Sequence, residues 1–205
     1  MMKLSIKNNI VIRPLSITDN LTDVAQLIFK TDPYIYPYWF RGYPNWKDIL
    51  VGLIKTKGSV FYYKNIIVSI IEDKIVGILI YLTNDTDVGL NYDKYIMVNH
   101  RFKYTITNYI LHLKDFVKED NVYISNVCID EQYRKQGHGT ALINFIKHKY
   151  PSKNLNVHCL KNNAPAIKLY SRACFRVKKR LKGFNAPYKL KPIIYEMQYD
   201  VYSQT

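Results

Sequence analysis

The run Arg134-Lys135-Gln136-Gly137-His138-Gly139-Thr140 combines two cations with two glycines, a set of residues suited to holding an anion. An apolar stretch, Val122 to Ile129, precedes it and reads as a strand rich in β-branched residues, with Asp130 to Tyr133 as the turn. Leu142, Ile143, Ile146 and Tyr150 then recur at helical spacing until Pro151 ends the run. A glycine loop entering a helix aims several backbone N–H groups at one spot, where the positive end of the helix dipole also lies. Gly137 and Gly139 let the backbone approach an anion with no Cβ in the way, and Arg134 and Lys135 add charge. The pattern is an anion cradle, with a pyrophosphate the expected anion. It lacks the Gly-Lys-Ser/Thr ending of a P-loop, and the third glycine and following acidic residue of a dinucleotide fingerprint.

A second motif lies downstream. Leu155 to Leu160 reads as another strand, and Asn163-Ala164-Pro165-Ala166-Ile167-Lys168-Leu169-Tyr170 follows it. Arg-x-x-Gly-x-Gly after a strand, followed by Asn-x-x-Ala-x-x-Leu-Tyr after the next, resembles the GNAT N-acetyltransferase superfamily. The resemblance implies acetyl-coenzyme A as cosubstrate, no metal, and acetyl transfer to a primary amine by direct attack in a ternary complex. It implies that the loop from Arg134 through Gln136, His138 and Thr140 holds the pyrophosphate. Main-chain groups of Val127, Cys128 and Ile129 would hold the pantetheine arm and thioester carbonyl, and Asn163 and Ala166 would line the same cofactor. Tyr170 matches the family's general acid for the departing thiolate. A phenol and a thiol, with reference pKa values of about 10 and about 8.5, are close enough for a hydrogen bond to assist departure.

Other reactive residues carry less. His138 lies inside the glycine loop, where its backbone N–H matters more than its imidazole. His158 and Cys159 are adjacent strand residues, so their side chains face opposite ways, and a Cys–His nucleophilic pair finds no local signature. No carboxylate lies in Tyr123-Ile124-Ser125-Asn126, so the general base is left unassigned. After Tyr170 the family's helix-ending Gly-Phe appears as Cys174-Phe175, which implies a different cap or a local strain.

The elements that must position these residues alternate along the chain. Ile10 to Ile12 reads as a strand, and Thr18 and Asp19 as caps of a helix bearing Leu21, Val24, Ala25 and Ile28 on one face. Trp46, Ile49, Leu50, Leu53 and Ile54 mark a second helix. Ile66 to Ile71 and Ile75 to Leu82 flank Glu72-Asp73-Lys74 as a hairpin, and Phe175 to Lys179 with Ile193 to Tyr199 form a closing antiparallel pair. The order matches a single α/β GNAT domain over residues 1–205, with a mixed sheet of about seven strands, flanked by helices and splayed at the acetyl-coenzyme A site. Two segments exceed the minimal plan. Thr31 to Tyr43 is too rich in proline for a regular helix and reads equally as an aromatic wall of the acceptor pocket or as a loop packed on the core. Asn84 to Asp120 reads as a helical insertion, with Phe102, Ile106, Tyr109, Ile110, Leu113 and Phe116 at helical spacing.

Composition bounds the rest. Hydrophobic residues make up 48% of 205, enough for a folded core and against disorder. The longest apolar run, Ile75 to Leu82, is too short to span a bilayer, no signal-peptide core is present, and a cytoplasmic location without a membrane partner is expected. Cys128, Cys159 and Cys174 sit in strand-like runs, where cysteine serves as a small buried hydrophobe. The net charge of +14 admits a nucleic-acid partner, but the lysines are scattered and that reading is not favoured. A small-molecule or peptide amine is the expected acceptor, and a homodimer stays open. Two alternative functions stand beside acetyl transfer: an acyl-coenzyme A-sensing protein of weak activity, and an aminoacyl-RNA acetyltransferase.

Overall fold

A computed structural model describes residues 4–6, 10–86, 117, 120–182 and 193–201. Most of the segment expected to be a helical insertion, including Phe102, Ile106, Tyr109, Ile110, Leu113 and Phe116, lies outside the described residues. In chain order the elements are β1 (Leu4–Ile6), β2 (Ile10–Pro14), α1 (Leu21–Lys30), α2 (Ile35–Trp39), α3 (Trp46–Lys55), β3 (Ile66–Ile71) and β4 (Lys74–Leu82). After these come β5 (Asn121–Ile129), α4 (His138–Lys149), β6 (Asn154–Leu160), α5 (Ala164–Arg172), β7 (Arg176–Lys182) and β8 (Ile193–Tyr199). The strands form one sheet in the order β1-β2-β3-β4-β5-β6-β8-β7. Neighbours are antiparallel except β5 and β6, which run parallel and are joined by the α4 crossover. The described sheet has eight strands; the short β1, paired edge-on with β2, is the addition to the expected plan.

Local chemistry accounts for the element boundaries. The β3–β4 hairpin turns on Glu72 and Asp73, both at positive φ (46° and 60°), as a tight two-residue hairpin requires. α1 starts one residue later than its expected caps. Asn20 Oδ1 accepts from the N–H groups of Thr22 (3.1 Å) and Asp23 (3.3 Å), whereas Asp19 receives both forks of the Arg13 guanidinium at 2.7 Å. A bidentate charged partner outcompetes a helix end for the carboxylate, and that pairing holds Asp19 below the ordinary carboxylate range. The proline-rich segment is also corrected: Ile35–Trp39 forms one helical turn. Pro37 is tolerated because it stands in the first turn, where backbone N–H groups have no intrahelical partner. Asp32 Oδ1 accepts from the N–H groups of Tyr34 and Ile35 at 2.8 Å each.

Two apolar layers sandwich the sheet. On one face α1, α2 and α3 pack over β3, β4 and β5 through Val24, Ile28, Leu50, Leu53, Ile66, Ile78 and Ile80, all fully buried. Tyr36, Trp39 and Phe40 are buried there too, with Phe29 stacked on Trp46 at 4.1 Å between ring centroids. The aromatic segment therefore belongs to the core through these three rings, while Tyr34 remains half-exposed. On the other face α4 and α5 cover β2, β5, β6 and β8 through Ile12, Leu142, Ile146, Leu155, Val157, Tyr170 and Met197. No described helix is long and apolar enough to cross a membrane.

Candidate active site

β5 and β6 share a parallel register from Asn121 opposite Asn154 to Ile124 opposite Val157. Beyond that point β5 continues to Ile129 along β4, and β6 continues to Leu160 along β8. Strands that share a ladder and then part leave a wedge walled by strand backbone. Val127, Cys128 and Ile129 line its β5 side. A bulge at Ser125 lies where the wedge opens: Asn126 pairs with Ile80, and Ile124 with Tyr81. The extra residue switches which side chains share a face. Tyr123 and Cys128 thus meet the α1 layer, and Val122, Ile124, Val127 and Ile129 the α4 layer.

The glycine loop lies between the end of β5 and the start of α4. Lys135 (φ 63°) and Gly137 (φ 96°) both adopt the left-handed region. Gly137 is the N-cap of α4 and brings no side-chain oxygen to the first N–H groups of the helix, an arrangement that suits an anion. A Cβ at Gly137 would meet no atom within 4 Å, so φ and not packing demands glycine there. At Gly139 a Cβ would lie 3.1 Å from Leu169 Cδ2, so this glycine sets how closely α4 and α5 approach. Arg134 Nε donates to Ile129 O at 3.2 Å, and Gln136 Nε2 to Gln132 O at 3.0 Å. Arg134, Lys135, Gln136 and Thr140 are exposed.

Beside the backbone N–H expected to matter most at His138, the side chain has a structural part. Its imidazole is buried, with Nδ1 2.7 Å from Ser69 Oγ on β3, and burial lowers its basicity. The ring therefore bolts the loop to the sheet. Asn163 follows the end of β6, exposed, with Oδ1 accepting from Ala166 N at 3.2 Å as the cap of α5. Tyr170 follows on the buried side of α5, its phenol pushed well above the ordinary range by burial and by nearby Cys159. Burial also pushes the Cys128 and Cys159 thiols up to about 11, so neither is a thiolate at neutral pH. Cys174 is not in a strand, as its sequence context suggested. It is exposed at φ 63° and takes the left-handed stop after α5 that glycine ordinarily supplies.

The α1 side of the wedge is built from side chains. Asn126 Nδ2 donates to Thr31 Oγ1 (2.8 Å) and to Tyr36 Oη (3.0 Å), while Ser125 Oγ donates to Asn126 Oδ1 (2.7 Å). This buried network ties the bulge to the end of α1 and to α2. Beside it Tyr123 Oη lies 3.0 Å from His158 Nδ1, the hydrogen bond spanning β5 and β6 where the two strands part. Sequence reading passed over this pair and left the base unassigned. The available signal was that His158 and Tyr123 each occupy the face opposite the α4 layer, but the bulge and the register decide that they meet. Among the described residues no cluster of His, Cys, Asp and Glu is arranged to hold a metal.

Known proteins share this architecture. A model described as the acetyltransferase (GNAT) family matches residues 36–174. An N-alpha-acetyltransferase of Saccharolobus solfataricus is 26% identical over 172 residues, covering 82% of this chain and 81% of the relative. The crystal structure of an N-acetyltransferase from Staphylococcus aureus Mu50 superposes with a TM-score of 0.67 at 20% identity, over 92% of this chain and 99% of that one. Arabidopsis thaliana Naa50, solved with a bisubstrate analogue CoA-Ac-MVNAL, gives a TM-score of 0.54 at 15% identity, over 93% and 98%. With its mixed sheet, its parted parallel strands and more than half its length matched, this chain belongs to the GNAT family of acetyltransferases.

Proposed function

We propose that the protein transfers an acetyl group from acetyl-coenzyme A to the α-amine of a peptide or a similar primary amine in the cytoplasm, by direct attack in a ternary complex. The observation that carries this reading is the parting of β5 and β6 between the glycine loop on one side and the Tyr123–His158 pair on the other. The open N–H groups at the start of α4, with Arg134 and Lys135, bind the pyrophosphate. Main-chain groups of Val127, Cys128 and Ile129 align the pantetheine arm and polarise the thioester carbonyl. Asn163 and Ala166 flank the arm from α5. An amine must lose a proton to attack, and His158, hydrogen-bonded to Tyr123, is the group at the wedge able to take it near neutral pH. The amine nitrogen bonds the carbonyl carbon, the C–S bond breaks, and Tyr170, its phenol kept protonated by burial, assists as a hydrogen-bond donor to the departing sulfur, which takes its proton from water as coenzyme A leaves. With both buried thiols neutral, an acyl-cysteine route is disfavoured. The α-amine acceptor is supported by the N-alpha-acetyltransferase likeness and by a relative solved with a peptide-linked analogue.

Calorimetric titration with acetyl-coenzyme A, coenzyme A and ATP, followed by mass spectrometry on a panel of free-N-terminus peptides, tests the reading. Selective binding of coenzyme A and an acetylated peptide N-terminus are expected. Tyr170→Phe is expected to lower turnover about 100-fold with little change in acetyl-coenzyme A affinity; equal turnover removes Tyr170 from the chemistry. An RNA-linked acceptor is the second reading, supported by the exposed cations Arg176, Lys178, Lys179, Arg180 and Lys182 of β7. A steep loss of acceptor binding with salt would favour it.

A further inference from the structure

Four titratable side chains stand side by side across four strands on the face opposite α4. His158 of β6 is paired in register with Glu196 of β8, and Glu196 with Lys179 of β7. Val157 and Cys159, the chain neighbours of His158, pack into the α4 layer, as do Tyr195 and Met197 beside Glu196. Alternation along each strand therefore puts His158 and Glu196 together on the other face, where Tyr123 Oη reaches His158 Nδ1 from β5. Directly paired antiparallel positions hold their Cβ atoms about 5 Å apart. Along the row exposure rises: Tyr123 is buried, His158 and Glu196 are half-buried, and Lys179 is exposed.

We propose that Glu196 is a positioning residue for the base. Its carboxylate stabilises the imidazolium formed when His158 takes the proton of the acceptor amine, and Lys179 tempers that effect from the far side. The inference rests on His158 being the base. Balance is simple: one proton moves from the amine nitrogen to the imidazole, then out past Glu196 to water, with no other bond changed. Among the described residues, Tyr123 from β5 and Glu196 from β8 stand beside His158, with Lys179 next beyond on β7.

Two variants with opposite expected signs test it. In Glu196→Gln the shape stays and the negative charge goes; in Lys179→Met the competing positive charge goes. The titration of His158, one of five histidines, is followed by NMR of the 13C-labelled ring in the full chain and assigned through His158→Gln. The midpoint is expected to fall by about half a pH unit in Glu196→Gln and to rise by a smaller amount in Lys179→Met, both shifts shrinking at high salt. In parallel, the acid limb of kcat/KM, read with whichever peptide of the panel is acetylated, is expected to move the same way, and Glu196→Asp to restore it. Unchanged midpoints in both variants overturn the role of Glu196. If His158→Gln keeps wild-type turnover, the base assignment fails instead, whatever the midpoints do.

Discussion

The two sides of the wedge are made from different materials. The α4 side is a backbone device: left-handed Lys135 and Gly137, an uncapped helix start, and strand groups from Val127 to Ile129. The α1 side is a side-chain device: Asn126, Thr31, Tyr36, Tyr123 and His158 converge from β5, α1, α2 and β6. A backbone device needs a fixed run of residues, because glycine positions and helix entry are local properties. A side-chain device needs only that distant residues meet, so its parts can be scattered and exchanged. In the proposed reading, the half serving the cosubstrate is therefore conveyed by a short motif, and the half meeting the acceptor by scattered residues.

The sharpest way to break this contrast is Gly137→Val. A β-branched residue at φ 96° is strained by roughly 1–2 kcal/mol, and relieving the strain turns the N–H groups of α4 away from the anion. Acetyl-coenzyme A affinity is expected to fall about 30- to 100-fold, equivalent to about 2 to 3 kcal/mol, with the circular dichroism unchanged. An unaltered affinity in folded protein would mean that the cradle is not a backbone device.

Asn126→Leu probes the other half. It leaves the Tyr36, Thr31 and Ser125 hydroxyls without their shared partner in a buried setting, at a cost of about 1–3 kcal/mol in unfolding free energy. The acceptor KM is expected to rise several-fold while acetyl-coenzyme A affinity stays within about twofold. Equal losses for both substrates would show that the two sides are coupled through β5, and the contrast would blur.

The same division explains what could be read from residue order. Helix periodicity, the Glu72-Asp73 turn and both motifs depend on neighbours in the chain, and β3, β4, α4, α5 and the wedge strands stand where the sequence places them. Period-two alternation, however, puts Tyr123 with Val127 and against Asn126. The bulge at Ser125 reverses this, joining Tyr123, Asn126 and Cys128 on the α1 face. Nothing local in Ile124-Ser125-Asn126 signals that step, because it is set by the ladder with β4. His158 was hidden for a related reason: its neighbours Tyr123 and Glu196 are set beside it by the registers with β5 and β8. Asp19 misled the α1 boundary because Arg13, across the loop from β2, competed for its carboxylate.

The smallest expected effect isolates geometry from both devices. Cys174 holds φ 63° at the stop after α5, exposed, with its backbone N–H bonded to Ser171 O at 3.0 Å. A non-glycine residue there stores strain that glycine would not, so Cys174→Gly is expected to stabilise the fold by about 0.5–1 kcal/mol after the greater chain entropy of glycine in the unfolded state is set against it. Lys135, at the same φ in the anion loop, offers the matched case. Lys135→Gly releases similar strain but removes a cation from the cradle, so its gain in melting temperature should come with weaker acetyl-coenzyme A binding. Cys174→Gly should raise the melting temperature and leave both substrate affinities alone. If it instead alters acetyl-coenzyme A binding, the strain at the end of α5 is transmitted through Tyr170 and Leu169 to Gly139, and the backbone device extends beyond the loop that names it.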